Sequence, residues 1–139
     1  MRSCLLIAVL LLTACGKLKS PTDPLDGGDP VDPTATFTRV QNEVFTPNCT
    51  TAGCHEPIGH QANQVLTAGN AYGNIVGISS TEMPLLHRIE PGDPANSYLY
   101  RKITGAGITG DRMPLGQAPL DEAKIRLVRD WIRRGAPND

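Results

Sequence analysis

From residue 36 onward, apolar positions recur at helical spacing in separate stretches, and no stretch makes a convincing strand. The first helix is expected over residues 36–46, with Phe37, Val40, Val44 and Phe45 along one side and Thr36 as its N-cap. It delivers the chain to Pro47-Asn48-Cys49. A second, short helix is expected over residues 67–76, weakened by Gly69 and Gly73. Pro91-Gly92-Asp93-Pro94 reads as a turn, and Asn96-Ser97 can cap a helix over residues 98–103 that the glycine-rich stretch 105–110 ends. The last helix has the clearest signals. Asp121 stands as N-cap with Glu122 in the first turn, a run follows to Arg134, then Gly135 as C-cap and Pro137 as stop. Ile125, Val128, Trp131 and Ile132 form its buried stripe, with Arg126, Arg129 and Arg133 expected on a neighbouring, wetter face. The fold class expected is all-α.

Ahead of residue 36 the pattern changes twice. Residues 1–14 open on Met1-Arg2-Ser3 and continue in a nine-residue apolar run, residues 4–12. That is too short to span a bilayer but suits the core of an export signal. The run closes on Leu12-Thr13-Ala14-Cys15, which resembles the bacterial lipobox. That resemblance implies cleavage before Cys15 and acylation of its sulfur, hence a lipid anchor to a membrane. A plain secretory signal cut near Ala14 is the alternative. Gly16, where lipoproteins retained at the inner membrane often carry Asp, points toward the outer membrane. Residues 15–35 then form a tether: Pro21, Pro24, Pro30 and Pro33 exclude a helix, and Asp23, Asp26, Asp29 and Asp32 recur every third residue. Such a segment stays solvated and extended at about 3.1 Å per residue. No loop with a closing Glu follows to make these aspartates a calcium site.

Residues 36–139 remain as one domain, large enough for a single small core. Its aromatics are few: Phe37, Phe45, Tyr72, Tyr98, Tyr100 and Trp131. A flat apolar cofactor would make up the deficit. Formal net charge is −1, so nucleic acid is not indicated as a partner. No nucleophile–base constellation and no phosphate-cradling glycine loop is present, which argues against an enzyme.

Once Cys4 leaves with the signal and Cys15 takes lipid, two thiols are left, in Cys49-Thr50-Thr51-Ala52-Gly53-Cys54-His55. In an oxidising compartment a free pair forms a disulfide unless something else consumes it. Two thiols with a histidine directly after the second are what covalent haem attachment requires: the sulfurs add across the haem vinyl groups and His55 reaches the iron. A haemless module closed by a Cys49–Cys54 disulfide, serving as an interaction or structural domain, is the alternative. Zinc is poorly served, because His55 is crowded by Cys54 for a tetrahedral site.

Four motifs in order carry a family resemblance: Val44-Phe45-Thr46-Pro47-Asn48-Cys49, Pro91-Gly92-Asp93-Pro94 leading on to Tyr100, Arg112-Met113-Pro114-Leu115-Gly116, and Asp130-Trp131-Ile132-Arg133-Arg134-Gly135-Ala136-Pro137. Over residues 37–137 the chain resembles the class I-like cytochromes c, and among them the planctomycete-type cytochrome c domains. The resemblance implies a small helical domain wrapped around one haem c, with Cys49 and Cys54 attached to it, His55 as proximal ligand and Met113 as distal ligand. Met83 and His87 are rivals for the distal place, while His60 lies too near His55 in sequence to cross the haem plane. A His/Met pair raises the reduction potential and fills both axial positions, so the implied work is electron transfer to a redox partner in the periplasm or at the cell surface. Arg88, Arg101, Lys102 and Arg112 are candidates to meet the haem propionates, Arg112 being nearest in sequence to Met113. One departure stands out: four residues separate the cysteines where the family has two. Gly53 is expected to supply the extra turn by taking a positive φ.

Overall fold

The computed structural model describes residues 29–139. The expected export signal, Cys15 and the first part of the tether lie outside the described residues.

The helix after Thr36 starts where its cap predicts. Thr36 accepts the Arg39 amide on its hydroxyl, and α1 (Phe37–Val40) follows. It does not stop at residue 46. A π turn (Gln41–Phe45) carries the chain into α2 (Thr46–Cys49). Pro47 is the physical reason: in a regular α-helix its ring would press on the carbonyl four residues back and leave that carbonyl without a donor. The wider turn makes room, and the Asn48 side-chain amide donates to the Val44 carbonyl at 2.8 Å and to that of Glu43 at 3.4 Å. The helix thereby reaches the first cysteine instead of ending short of it.

The second helix, α3 (Ala71–Ile75), is shorter than expected. Its start is displaced past Gly69, which takes a φ of 79° that no α-helix contains. The third, α4 (Tyr98–Thr104), matches its expectation, but Ser97 caps nothing with its side chain. The Ser97 hydroxyl instead donates to the Asp93 carbonyl at 2.8 Å and holds the preceding turn together. The last helix, α5 (Glu122–Arg133), is capped by Asp121, which accepts the Lys124 amide. Gly135, at φ 92°, ends it, with the Ala136 amide reaching back to the Trp131 carbonyl at 3.0 Å.

Between helices, strand-like pairing is confined to isolated bridges, Val76 with Ile89, Ser79 with His87, and His87 with Ser97, so the described residues form helices and no strand. None of their helices is long and apolar enough to cross a membrane.

α5 packs on α1 and α4. Val128, Trp131 and Ile132 are fully buried, as the apolar stripe requires. Phe37 meets Trp131 at 5.4 Å between ring centroids and Tyr72 at 5.2 Å, and the Trp131 indole donates to the Pro137 carbonyl at 2.9 Å. Ala35 is also fully buried, so packing begins ahead of residue 36. One expectation for α5 fails. Arg129 is not on a wet face but only 2% exposed, its guanidinium 2.8 Å from the Asp130 carboxylate. Spacing explains this: residues 125, 128, 129 and 132 fall on one side of a helix. The other Asp130 oxygen accepts the Asp32 amide at 3.2 Å, which fastens the incoming chain across this helix.

Candidate functional site

Helix α2 and the loop after it hold the two cysteines and the histidine. The Cys49 carbonyl, at the helix end, accepts the His55 amide at 3.1 Å, so the four-residue insert closes on itself. Gly53 takes φ 81°, the left-handed turn expected of it. Glu56 then gathers the far side of the loop. Its carboxylate accepts the amides of Gly59 at 2.7 Å, Ile58 at 3.0 Å and Gly53 at 3.4 Å, and these bonds, that of Ile58 foremost, hold its pKa below the usual carboxylate range. Nothing in the sequence pattern singled out Glu56. The only available signal was an acidic residue two places after a cysteine, in a loop rich in glycine and proline.

Both thiols are free. The Cys49 sulfur sits 3.8 Å from the Val44 carbonyl, and burial pushes its thiol up to about 12. Cys54 accepts a bond from the Thr51 hydroxyl at 3.2 Å. The His55 ring is oriented from behind, its Nδ1 lying 3.1 Å from the Gln64 carbonyl. A carbonyl can only accept, so Nδ1 carries the hydrogen and, in the neutral ring, Nε2 keeps its lone pair for a ligand. Burial drives the imidazole below its ordinary value, and the nearby charges of Arg88 and Lys102 add to this against the bonds to the Gln64 and Gln61 carbonyls.

These three residues border a cavity of about 420 Å³, within the range of small-molecule and cofactor sites. Phe45 and Leu66 line it from the core side, Leu99 and Ile103 from α4, and Met113 from the loop before α5. Met113 is half-buried, packs on the core, and is fixed by its amide, which donates to the Lys102 carbonyl at 2.9 Å. The cavity therefore unites Cys49, Cys54, His55 and Met113, which sequence places as far as sixty-four residues apart.

The rivals stand elsewhere. Met83 does not line the cavity, and its sulfur accepts a bond from the Thr109 hydroxyl at 3.6 Å. His87 is engaged with Glu90 at 2.6 Å, and exposed His60 with the Pro57 carbonyl at 3.0 Å; neither borders the cavity. Of the four cations considered for propionates, Arg88 and Lys102 line it. Arg101 and Arg112 do not: Arg101 bonds the Ala95 carbonyl at 2.6 Å and Arg112 the Ile103 carbonyl at 3.0 Å. Adjacency to Met113 in sequence misled, because the Arg112 side chain turns back over the end of α4.

A polar group that the motifs did not announce completes the wall. Lys102 is 2.9 Å from Glu82, and the Tyr98 hydroxyl donates to the same carboxylate at 2.9 Å. Burial would raise Glu82, but these two bonds hold it below its ordinary value.

Among the described residues no group of three or more His, Cys, Asp and Glu side chains is arranged to hold a metal ion by itself. The donors fit a different task. Two reduced thiols, one imidazole with an available nitrogen and one thioether, set around a mostly apolar hollow, suit a haem joined through its edge and ligated at its iron. No protein-family model matches the chain, and neither a curated protein nor a solved structure shows significant similarity to it.

Proposed function

We propose that this chain is a monohaem c-type cytochrome with a cytochrome c-like fold, an electron carrier tethered by a lipid on Cys15 to the outer membrane. The observation that carries the proposal is the convergence of Cys49, Cys54, His55 and Met113 on one apolar cavity. In this reading Cys49 and Cys54 join the haem, His55 is the proximal iron ligand and Met113 the distal one.

When bound, haem supplies a reversible one-electron couple. The rest is the work of the chain. Gln64 fixes the tautomer of His55 through Nδ1, which leaves the Nε2 lone pair for a ligand. A thioether from Met113 favours the reduced state and raises the potential. Held by His55 and Met113, the metal would offer no place to a substrate, and the work would be electron transfer to a partner protein rather than catalysis. Phe45, Leu66, Leu99 and Ile103 give the hollow an apolar wall, which would lower the dielectric around the group and the cost of reorganisation on electron transfer.

The test is production of the full chain in a bacterium with haem-attachment machinery, followed by denaturing electrophoresis and haem staining. A covalent red band with a thioether-type haemochrome spectrum is expected. A colourless product joined Cys49 to Cys54 by mass would overturn the proposal in favour of a haemless lipoprotein module.

A further inference from the structure

Three cationic side chains are buried among the described residues: Arg88, Lys102 and Arg129. A buried charge is costly unless an opposite charge compensates it. Two of the three are compensated, Arg129 by Asp130 at 2.8 Å and Lys102 by Glu82 at 2.9 Å. Arg88 is not. Only 6% exposed, it bonds three neutral carbonyls, Asn74 at 2.8 Å, Ala62 at 3.0 Å and Asn63 at 3.2 Å. A guanidinium has five donors, so capacity is left over. Arg88 also lines the cavity that holds the cysteines, and its charge is felt at His55. Burial alone drives its guanidinium downward, with no carboxylate among the described residues to offset it.

We propose that Arg88 is a carboxylate-binding residue of this cavity, its missing counter-charge being brought in by the ligand. A planar guanidinium matches a carboxylate in geometry as well as charge, and the low-dielectric wall strengthens the pair. The Lys102–Glu82 pair is already neutral, so Arg88 alone leaves an excess positive charge at the wall. The cavity thus takes a ligand that is apolar over most of its surface and acidic at one edge. For the ligand this rests on the haem proposal, since haem propionates are one source of such a carboxylate; a free dicarboxylate is the other.

The experiment uses the full chain as purified from the haem-attaching host, with Arg88→Lys and Arg88→Met beside the wild type. If the product is red, redox-difference infrared spectra report the propionate carboxylate stretches. Arg88→Met is expected to shift them and Arg88→Lys to shift them less, while added succinate at constant ionic strength changes nothing in the wild type. Unshifted bands in both variants, together with no response to succinate, would mean that Arg88 only cross-links three carbonyls, and the proposal falls. Arg88-dependent stabilisation of red protein by succinate would support the carboxylate site and assign it to a free acid. A colourless product sinks the haem proposal but not this one: the wild type should then rise in melting temperature with succinate, and Arg88→Lys should respond at least tenfold more weakly. No rise in the colourless wild type overturns it. Should Arg88→Met fail to fold, Arg88→Lys and the succinate titration of wild type decide the matter by themselves.

Discussion

The carboxylate of Glu56 lies 2.7 Å from the amide of Gly59, and that bond closes the loop carrying Cys54 and His55. The closure leaves no space at position 59. A Cβ there would come within 2.7 Å of the Gly53 backbone and 2.8 Å of the Glu56 carboxylate oxygen. Gly59→Ala should therefore force the two sides of the loop apart and cost about 1–3 kcal/mol, the range for overpacking. Denaturant unfolding measures the stability, and haem staining per mole of protein measures the second effect, a lower yield of attachment. Unchanged values on both would mean that the loop is loose enough to absorb a methyl group.

Cys49 should be the slow thiol of the folded, haem-free chain. Burial raises it to about 12 from an ordinary 9.0, so at pH 8 it carries roughly a thousandfold less thiolate than an unshifted thiol. Alkylation by iodoacetamide, followed by mass spectrometry, should be slower at Cys49 in native buffer than in urea by about that factor. The sign for stability follows from linkage: the folded value is raised, so the contribution is complete below about pH 9 and is lost as pH rises toward 12. Comparable rates in buffer and urea would show that the sulfur is not held against the core.

For His55 the sign is reversed. Its folded value is depressed by burial, so the neutral ring contributes stability above the unfolded value, near 6.5, that is lost as pH falls through the folded value. A chain in which both cysteines are serine, and to which haem cannot be joined, isolates the effect. Its melting temperature should fall as pH drops from 6.5 toward 5, and adding His55→Gln should flatten that slope. The carboxylates depressed in the fold, such as Glu82 and Asp121, act at lower pH and leave the window clear. Parallel pH profiles with and without His55 would sink the prediction.

Local features were legible in sequence and non-local ones were not. Thr36 and Asp121 cap their helices, Gly135 ends α5 and Gly53 turns left-handed, because each depends on the conformation of a few neighbouring residues. The length of the first helix was misjudged because Pro47 reads as a stop. The π turn and the Asn48 side chain that accommodate it carry no pattern of their own. Arg129 was misjudged by its charge, although its helical position put it with Ile125 and Ile132; the Asp130 partner and the chain crossing at Asp32 decide its burial. At the site, Cys49, Cys54 and His55 fall within seven residues and could be read together. Arg88, Glu82 and Lys102 reach the same cavity from separate segments, and only the fold brings them there.

Met113 is the distal candidate because its side chain borders the cavity while Met83 and His87 are occupied outside it. In the haem-loaded protein Met113→Ala should abolish the weak sulfur–iron band at the near-infrared edge, lower the potential and allow carbon monoxide to bind. Met113 is half-buried against the core, so the stability cost should be about 1–2 kcal/mol, under the 2–5 kcal/mol of a fully buried methionine. Met83→Ala and His87→Gln are the controls, and both should keep the band and exclude carbon monoxide. If Met113→Ala keeps the band while Met83→Ala loses it, the loop around residue 83 must cross the cavity on haem binding, and the distal assignment passes to it. A band absent from the wild type itself, with carbon monoxide already bound there, would mean an iron open on one side and an activity beyond electron transfer.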